Sequence, residues 1–287
     1  MDDRDLLKVV MGVVGRDNCL DDCAVFPCGD LMMVATTDML HRTTDFVPGM
    51  TDWQAGWMSA AVTLSDIASM GATPRFLLIA VGLDDWNCLK GVMQGAQDCC
   101  KKYGAAIIGG DIDRHGELTV VTTGLGTVEK QHLVRRTGAR VGDLVCITGI
   151  PGQAQACLDG YVQYEKALFE PRPRVEEGRI LGRSGATAMM DDSDGIALSL
   201  YDLLGVNECG FSLDTAKLPL PGGIPAAEAL ELALYGGGDY ELIFTIPPDR
   251  FPVDCIQASV IGTVIPENVA LADGEPLEKR GFQHRWE

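Results

Sequence analysis

The chain alternates short apolar runs with helical patterns along most of its length, and that alternation restricts it to an α/β design. "RFLLIAVGL" (75–83) is continuously apolar and short enough for a buried strand. "TDWQAGWMSAAVTLSDIASMGA" (51–72) instead repeats Trp53, Trp57, Ala60, Ala61, Leu64 and Ala68 at helical spacing, with Thr51 or Asp52 as N-cap and Gly71 as its close. Further strands are expected at 31–40, 105–111 and 117–129, a strand with its Gly/Pro turn over 142–152, and helices at 86–103, to about 168 after that turn, and near 175–184. The later segments "ATAMMD", "GFSLD", "YELIFTI" and "ASVIGTVI" read as strands, separated by helices near 195–205 and 226–235. A chain of 287 residues sits near the length at which chains divide, so two α/β domains are expected, 1–140 and 141–287.

Charge narrows the function. The formal net charge is −18, and nucleic-acid binding needs clustered Lys and Arg to displace phosphate counterions. No apolar run reaches the length of a membrane span, and "MDDRDLLKVV" lacks the basic and apolar regions of a signal peptide, so a cytoplasmic protein is expected. Ten cysteines in this length are not disulfide-dense, and Cys19, Cys23 and Cys28 lack the paired spacing of a zinc site.

Aspartates stand where apolar patterns stop. Asp38 ends "MMVATTD", Asp111 ends "AIIGGD", Asp191 ends "ATAMMD", and Asp21 and Asp22 precede "CAVF". Asp66 interrupts an apolar helix, where Asp is a poor helix former. Any one of these fits a turn or cap. Together they predict a carboxylate cluster at a sheet edge, and oxygen ligands with few histidines suit hard cations such as Mg²⁺ bridging to a phosphate. "MMDDSDGIAL" (189–198) packs Asp191, Asp192 and Asp194 so closely that a nearby positive charge is required. No P-loop or protein-kinase signature is present.

The segments "LDDCAVF", "TTDML", "TLSDIASMGATP", "IGGDIDR", "RRTGARVGD", "VCITGIPG", "PRPRVEEGR", "MMDDSDGI" and "GGGDYELIF" occur in an order that resembles the thiamine-monophosphate kinase family, within the aminoimidazole ribonucleotide synthetase-like superfamily. The resemblance implies an N-terminal sheet forming the interface of a homodimer and a C-terminal domain closing over nucleotide and substrate. It implies phosphoryl transfer from ATP to thiamine monophosphate with several Mg²⁺ ions. Carried over by position, Asp22, Thr36, Thr37, Asp38, Asp66, Asp111, Asp191 and Asp194 bind metal, and Gly110, Asp111, Arg136 and Ser193 contact ATP. Asp194 and Arg136 are the expected catalytic pair, and Asp45, Gly238, Asp239 and a C-terminal aromatic packing on the thiamine ring, Trp286 or Phe282, the expected acceptor side.

Several positions depart from the family pattern. Asp45 stands where a His is usual, Gly238 replaces the Glu of "GGEDYEL", "GGDTTR" becomes "GGDIDR", and "GIGDD" becomes "NCLDD". The metal and ATP half matches better than the acceptor half. Alternatives are an ATP-using relative acting on another small anionic acceptor, or a noncatalytic Mg-nucleotide binder.

Overall fold

The computed structural model describes residues 2–284 and has a mixed α/β architecture built on two sheets. In chain order the first part comprises α1 (Asp3–Val14), β1 (Ala24–Cys28), β2 (Leu31–His41), α2 (Asp52–Ser69), β3 (Thr73–Leu83), α3 (Leu89–Tyr103), β4 (Ala106–Arg114) and β5 (Thr119–Glu129). The second comprises β6 (Leu144–Thr148), α4 (Gln153–Leu158), α5 (Glu165–Phe169), α6 (Val175–Ser184), β7 (Ala188–Asp192), α7 (Ile196–Val206), β8 (Gly210–Leu213), α8 (Ala226–Tyr235), β9 (Glu241–Ile246), β10 (Ala258–Ile265), β11 (Ala270–Ala272) and β12 (Glu275–Pro276).

The first sheet runs β1-β2-β5-β3-β4 and the second β12-β11-β8-β10-β6-β9-β7. Among the described residues only β3/β4 and β8/β11 pair parallel. Because the ladders are otherwise antiparallel, the aspartates do not collect at one carboxyl edge as a doubly wound sheet would arrange them. Asp38, Asp111 and Asp191 lie within their strands, and it is α2 that gathers the site.

The helix starts with a capping box, Thr51 with Gln54, and its chain reverses at Gly71, whose φ is +67°. It is buried along nearly its whole length because α3 closes on one side and α6 on another. Glycine makes this possible: a Cβ on Gly56 would lie 1.9 Å from Val92 O, one on Gly95 1.8 Å from Trp53 O, and one on Gly178 of α6 2.1 Å from Ala68 O. α2 therefore touches β2 and β5 of the first sheet and β7 of the second.

Strand alternation assigns the faces of the first sheet. Val34, Thr36, Asp38 and Leu40 of β2 turn toward α2, with Val34 and Leu40 in the core. Phe26, Met39, Phe76 and Leu78 lie on the opposite face and are exposed. The second sheet is covered on both sides, by Leu181 of α6 against Met189 and Phe244, and by Ile196, Leu200 and Leu203 of α7 against Val145, Ile147 and Phe211. No helix among the described residues is long and apolar enough to cross a membrane.

Candidate active site

Hydroxyl groups on α2 reach carboxylates on both sheets. Thr63 Oγ1 donates to Asp38 Oδ2 of β2 at 2.6 Å, and Ser65 Oγ donates to Asp191 Oδ2 of β7 at 2.6 Å. Ser69 Oγ donates to Asp22 Oδ2 at 2.6 Å, and Thr36 Oγ1 reaches back to Asp66 Oδ2 at 2.6 Å. The outcome is a centre in which oxygens of Asp22, Asp66 and Asp191 all lie within 4.8 Å of one another.

Such a centre is strongly unfavourable with every group ionised. Burial, followed by the charge of neighbouring acids, pushes Asp66 well above the usual carboxylate range. Burial also takes Asp191 up to about 8, with Asp22 as the next contribution, and Asp38 up to about 6. Among the described residues Arg136 is the one cation bonded to these four carboxylates: Nε donates to Asp22 Oδ1 at 2.8 Å, and Nη2 bonds the same oxygen. Its backbone N–H donates to Asp21 Oδ1 at 3.0 Å, and Asp21 also pairs with Arg135. One guanidinium cannot neutralise Asp22, Asp38, Asp66 and Asp191. An oxygen-only, converging, polyanionic donor set is what a hard divalent cation requires, so the residues fit Mg²⁺.

The remaining expected ligands lie elsewhere. Thr37 points to the opposite face of β2 from Thr36 and Asp38, where its Oγ1 is 3.0 Å from Thr123 Oγ1. Through the pairs Met39–Val121 and Val121–Ala80, Asp111 follows on that same open face, beside Ala80. Three strand spacings separate β2 from β4, about 14 Å, so a single chain does not bring Asp111 to the cluster. Asp194 is held by Arg4 of α1, whose Nη2 donates to Asp194 Oδ2 at 3.0 Å, and burial raises its pKa despite that partner.

Gly110 is glycine because a Cβ there would stand 1.7 Å from Ile79 O. Beside it an apolar cleft of about 520 Å³ is lined by Ile79, Val81, Leu89, Met93 and Ile107, with Asp111 at its rim. Ser193 accepts through its carbonyl from Gly238 N–H at 2.8 Å, and Gly238 has φ +90°.

On the expected acceptor side, Asp45 closes the turn after β2, accepting from His41 N–H at 2.7 Å and from Thr44 Oγ1 at 2.7 Å. Asp239 accepts from the N–H groups of Gly152 and Ala154, at 2.5 and 2.9 Å, and so anchors the start of α4; burial takes it up to about 7. Trp286 lies outside the described residues. Phe282 is at the site, its N–H donating to Asp194 O at 3.0 Å.

Sequence reasoning missed Thr63, Ser65, Ser69 and Arg4. The three hydroxyls had a signal: with Asp66 they form a polar stripe on a helix otherwise buried and apolar. Arg4 had none, since it pairs 190 positions away.

A family model described as AIR synthase related protein, N-terminal domain, matches residues 20–128. A thiamine-monophosphate kinase of Methanospirillum hungatei is 48% identical, with 100% of both chains covered. One from Halobacterium salinarum is 41% identical, covering 97% of this chain and 96% of its own. The solved structure of AaThiL complexed with AMPPCP and TMP superimposes with a TM-score of 0.92 over 99% of this chain and 97% of its own; at 24% identity that likeness shows the fold. With full-length identity near one half, the chain belongs to the thiamine-monophosphate kinase family.

Proposed function

We propose that this chain transfers the γ-phosphoryl group of ATP to thiamine monophosphate, giving thiamine diphosphate and ADP. The observation that carries the reading is the Asp22–Asp66–Asp191 centre, joined by Asp38 and threaded by Arg136. Asp22, Asp66 and Asp191 would hold Mg²⁺, which supplies charge neutralisation for the transferring phosphoryl group. The hydroxyls of Thr36, Ser65 and Ser69 hold these carboxylates in place. Arg136 adds a fixed positive charge beside the phosphates. The acceptor oxygen of a phosphate monoester is already anionic at neutral pH, so positioning for in-line attack suffices and no side chain needs to act as general base.

The apolar cleft beside Gly110 suits the nucleobase. The exposed face carrying Phe26, Met39, Phe76 and Leu78 is the surface on which a second copy would pair in a homodimer. Thr37 and Asp111 then stand at that interface, apart from the cluster. Domains of 1–140 and 141–287 follow the two sheets, with α2 bridging them.

A second reading, another small anionic acceptor, is favoured by the bonds that commit Asp45 to a turn and by the missing side chain at Gly238. Purified protein with Mg-ATP, supplied with thiamine monophosphate, with thiamine or with no acceptor, separates the two. ADP formation dependent on thiamine monophosphate supports the first; none with that acceptor moves the reading to the second.

A further inference from the structure

We infer that Arg4, on the N-terminal helix, binds the phosphate group of the acceptor and sets the preference for a phosphorylated over an unphosphorylated substrate. The inference rests on the kinase reading above and adds a residue to it.

α1 has no buried residue, so apolar packing does not hold it in place. Its attachment is polar. Arg4 forks onto Asp202 of α7, Nε to Oδ1 at 2.9 Å and Nη2 to Oδ2 at 2.6 Å, while Arg16 donates to Gly205 O at 2.9 Å. The same Nη2 reaches Asp194 at 3.0 Å. Its Nη1 has only a 3.6 Å ion contact with Asp3, so that nitrogen keeps donor capacity for a further oxygen. A guanidinium held by Asp202 and Asp194 through Nε and Nη2 keeps the N–H groups of Nη1 to offer to an oxyanion.

The location matches the acceptor side. Phe282 N–H bonds Asp194 O, and Gln283 Nε2 lies 3.4 Å from Asp2 Oδ2, so the C-terminal segment and the start of α1 meet at Asp194. A groove of about 540 Å³ opens there between α1 and α7, lined by Arg4, Arg16, Arg136 and Lys279. Among the described residues, Arg16 and Lys279 have no carboxylate partner; Lys279 lies over the Tyr201 ring at 5.5 Å. Asp3, Asp194 and Asp202 are the groove's acids, and Lys8 at its rim pairs with Asp5. The groove is lined by Arg4, Lys8, Arg16, Arg136 and Lys279 against Asp3, Asp194 and Asp202, so positive groups outnumber negative ones around Arg4. A phosphomonoester dianion is the ligand this balance favours.

The test uses full-length protein, wild type and Arg4→Ala, Arg4→Lys and Asp202→Asn. Removing a hydrogen bond to a charged group should raise KM for thiamine monophosphate about 10- to 100-fold. KM for ATP should stay within about twofold, and so should the inhibition constant of unphosphorylated thiamine, by the same arithmetic. Arg4→Lys should recover part of the loss and Asp202→Asn should fall between. Direct titration of thiamine monophosphate and thiamine, read by tryptophan fluorescence without ATP, gives the same comparison if turnover is absent. Equal weakening of both ligands, a raised KM for ATP, or no change in any constant would overturn the inference. Wild-type protein that binds thiamine monophosphate without phosphorylating it would instead count against the kinase reading, leaving the Arg4 comparison to stand or fall on the titration.

Discussion

Replacing Asp191 by asparagine should make the metal-free protein more stable and the enzyme inactive. Asp191 is fully within the carboxylate centre and is raised from an ordinary 3.8 to about 8, mainly by burial and then by Asp22. A carboxyl whose folded pKa is raised keeps a proton that the unfolded chain has released, so stability falls as pH rises from about 4 to about 8. Keeping this group protonated at pH 7, where the unfolded chain has released the proton, costs on the order of 4 kcal/mol, at about 1.4 kcal/mol per pH unit above 3.8. Part of that cost is shared with Asp38 and Asp22, so one substitution should release about 2 to 4 kcal/mol. Asparagine is isosteric, and its carbonyl can still accept from Ser65 Oγ. With about 2 to 4 °C per kcal/mol for a chain of this size, the melting temperature in EDTA at pH 8 should rise by roughly 4 to 15 °C. The gain should shrink toward pH 5. Thermal unfolding of both proteins in EDTA between pH 5 and 8, followed by a kinase assay in Mg²⁺, reads both halves. An Asp191→Asn protein with the same pH slope as wild type, or one that is less stable at pH 8, would show that the centre is not electrostatically loaded.

Other expectations follow from the same geometry. Arg136→Met leaves Asp22 buried without its guanidinium and should cost about 3 to 5 kcal/mol in urea unfolding at neutral pH in EDTA, with activity lost in Mg²⁺. Gly110→Ala drives a methyl against Ile79 O, forcing β3 and β4 apart; a loss of about 1 to 3 kcal/mol and weaker ATP binding by equilibrium titration should result. Phe76→Glu on the exposed face of the first sheet should give a monomer by light scattering with its melting temperature little changed from that of a wild-type dimer diluted to dissociation.

Helix α2 shows what could be read from the chain beforehand. Its cap at Thr51, its apolar repeat and the oddity of Asp66 were all local signals, and the helix forms over Asp52–Ser69. The strands 258–265 and the helices 175–184 and 226–235 match their patterns residue for residue. What was illegible depended on distance or on face. Thr36, Thr37 and Asp38 look like one polar group in sequence, yet a strand sends Thr37 to the other side of the sheet. That much the two-residue period could have told. Asp239 sits in a glycine-rich turn and gives no sign that it anchors a helix start 87 positions back, at Gly152. The single helical stretch expected over 153–168 is two short helices, α4 and α5, separated by the turn at Gly160, whose φ is +102°. α1 was not foreseen because its short amphipathic pattern buries nothing and is tied to the rest of the chain through Arg4 and Arg16.

The most direct test of the central claim follows the phosphoryl group itself. Protein is incubated with ATP carrying ¹⁸O in its γ-phosphoryl oxygens, thiamine monophosphate and either Mg²⁺ or EDTA, and the thiamine-containing products are weighed by mass spectrometry. The account predicts thiamine diphosphate bearing the intact labelled phosphoryl group in Mg²⁺ and none in EDTA. ADP and labelled inorganic phosphate with no labelled thiamine diphosphate would contradict it.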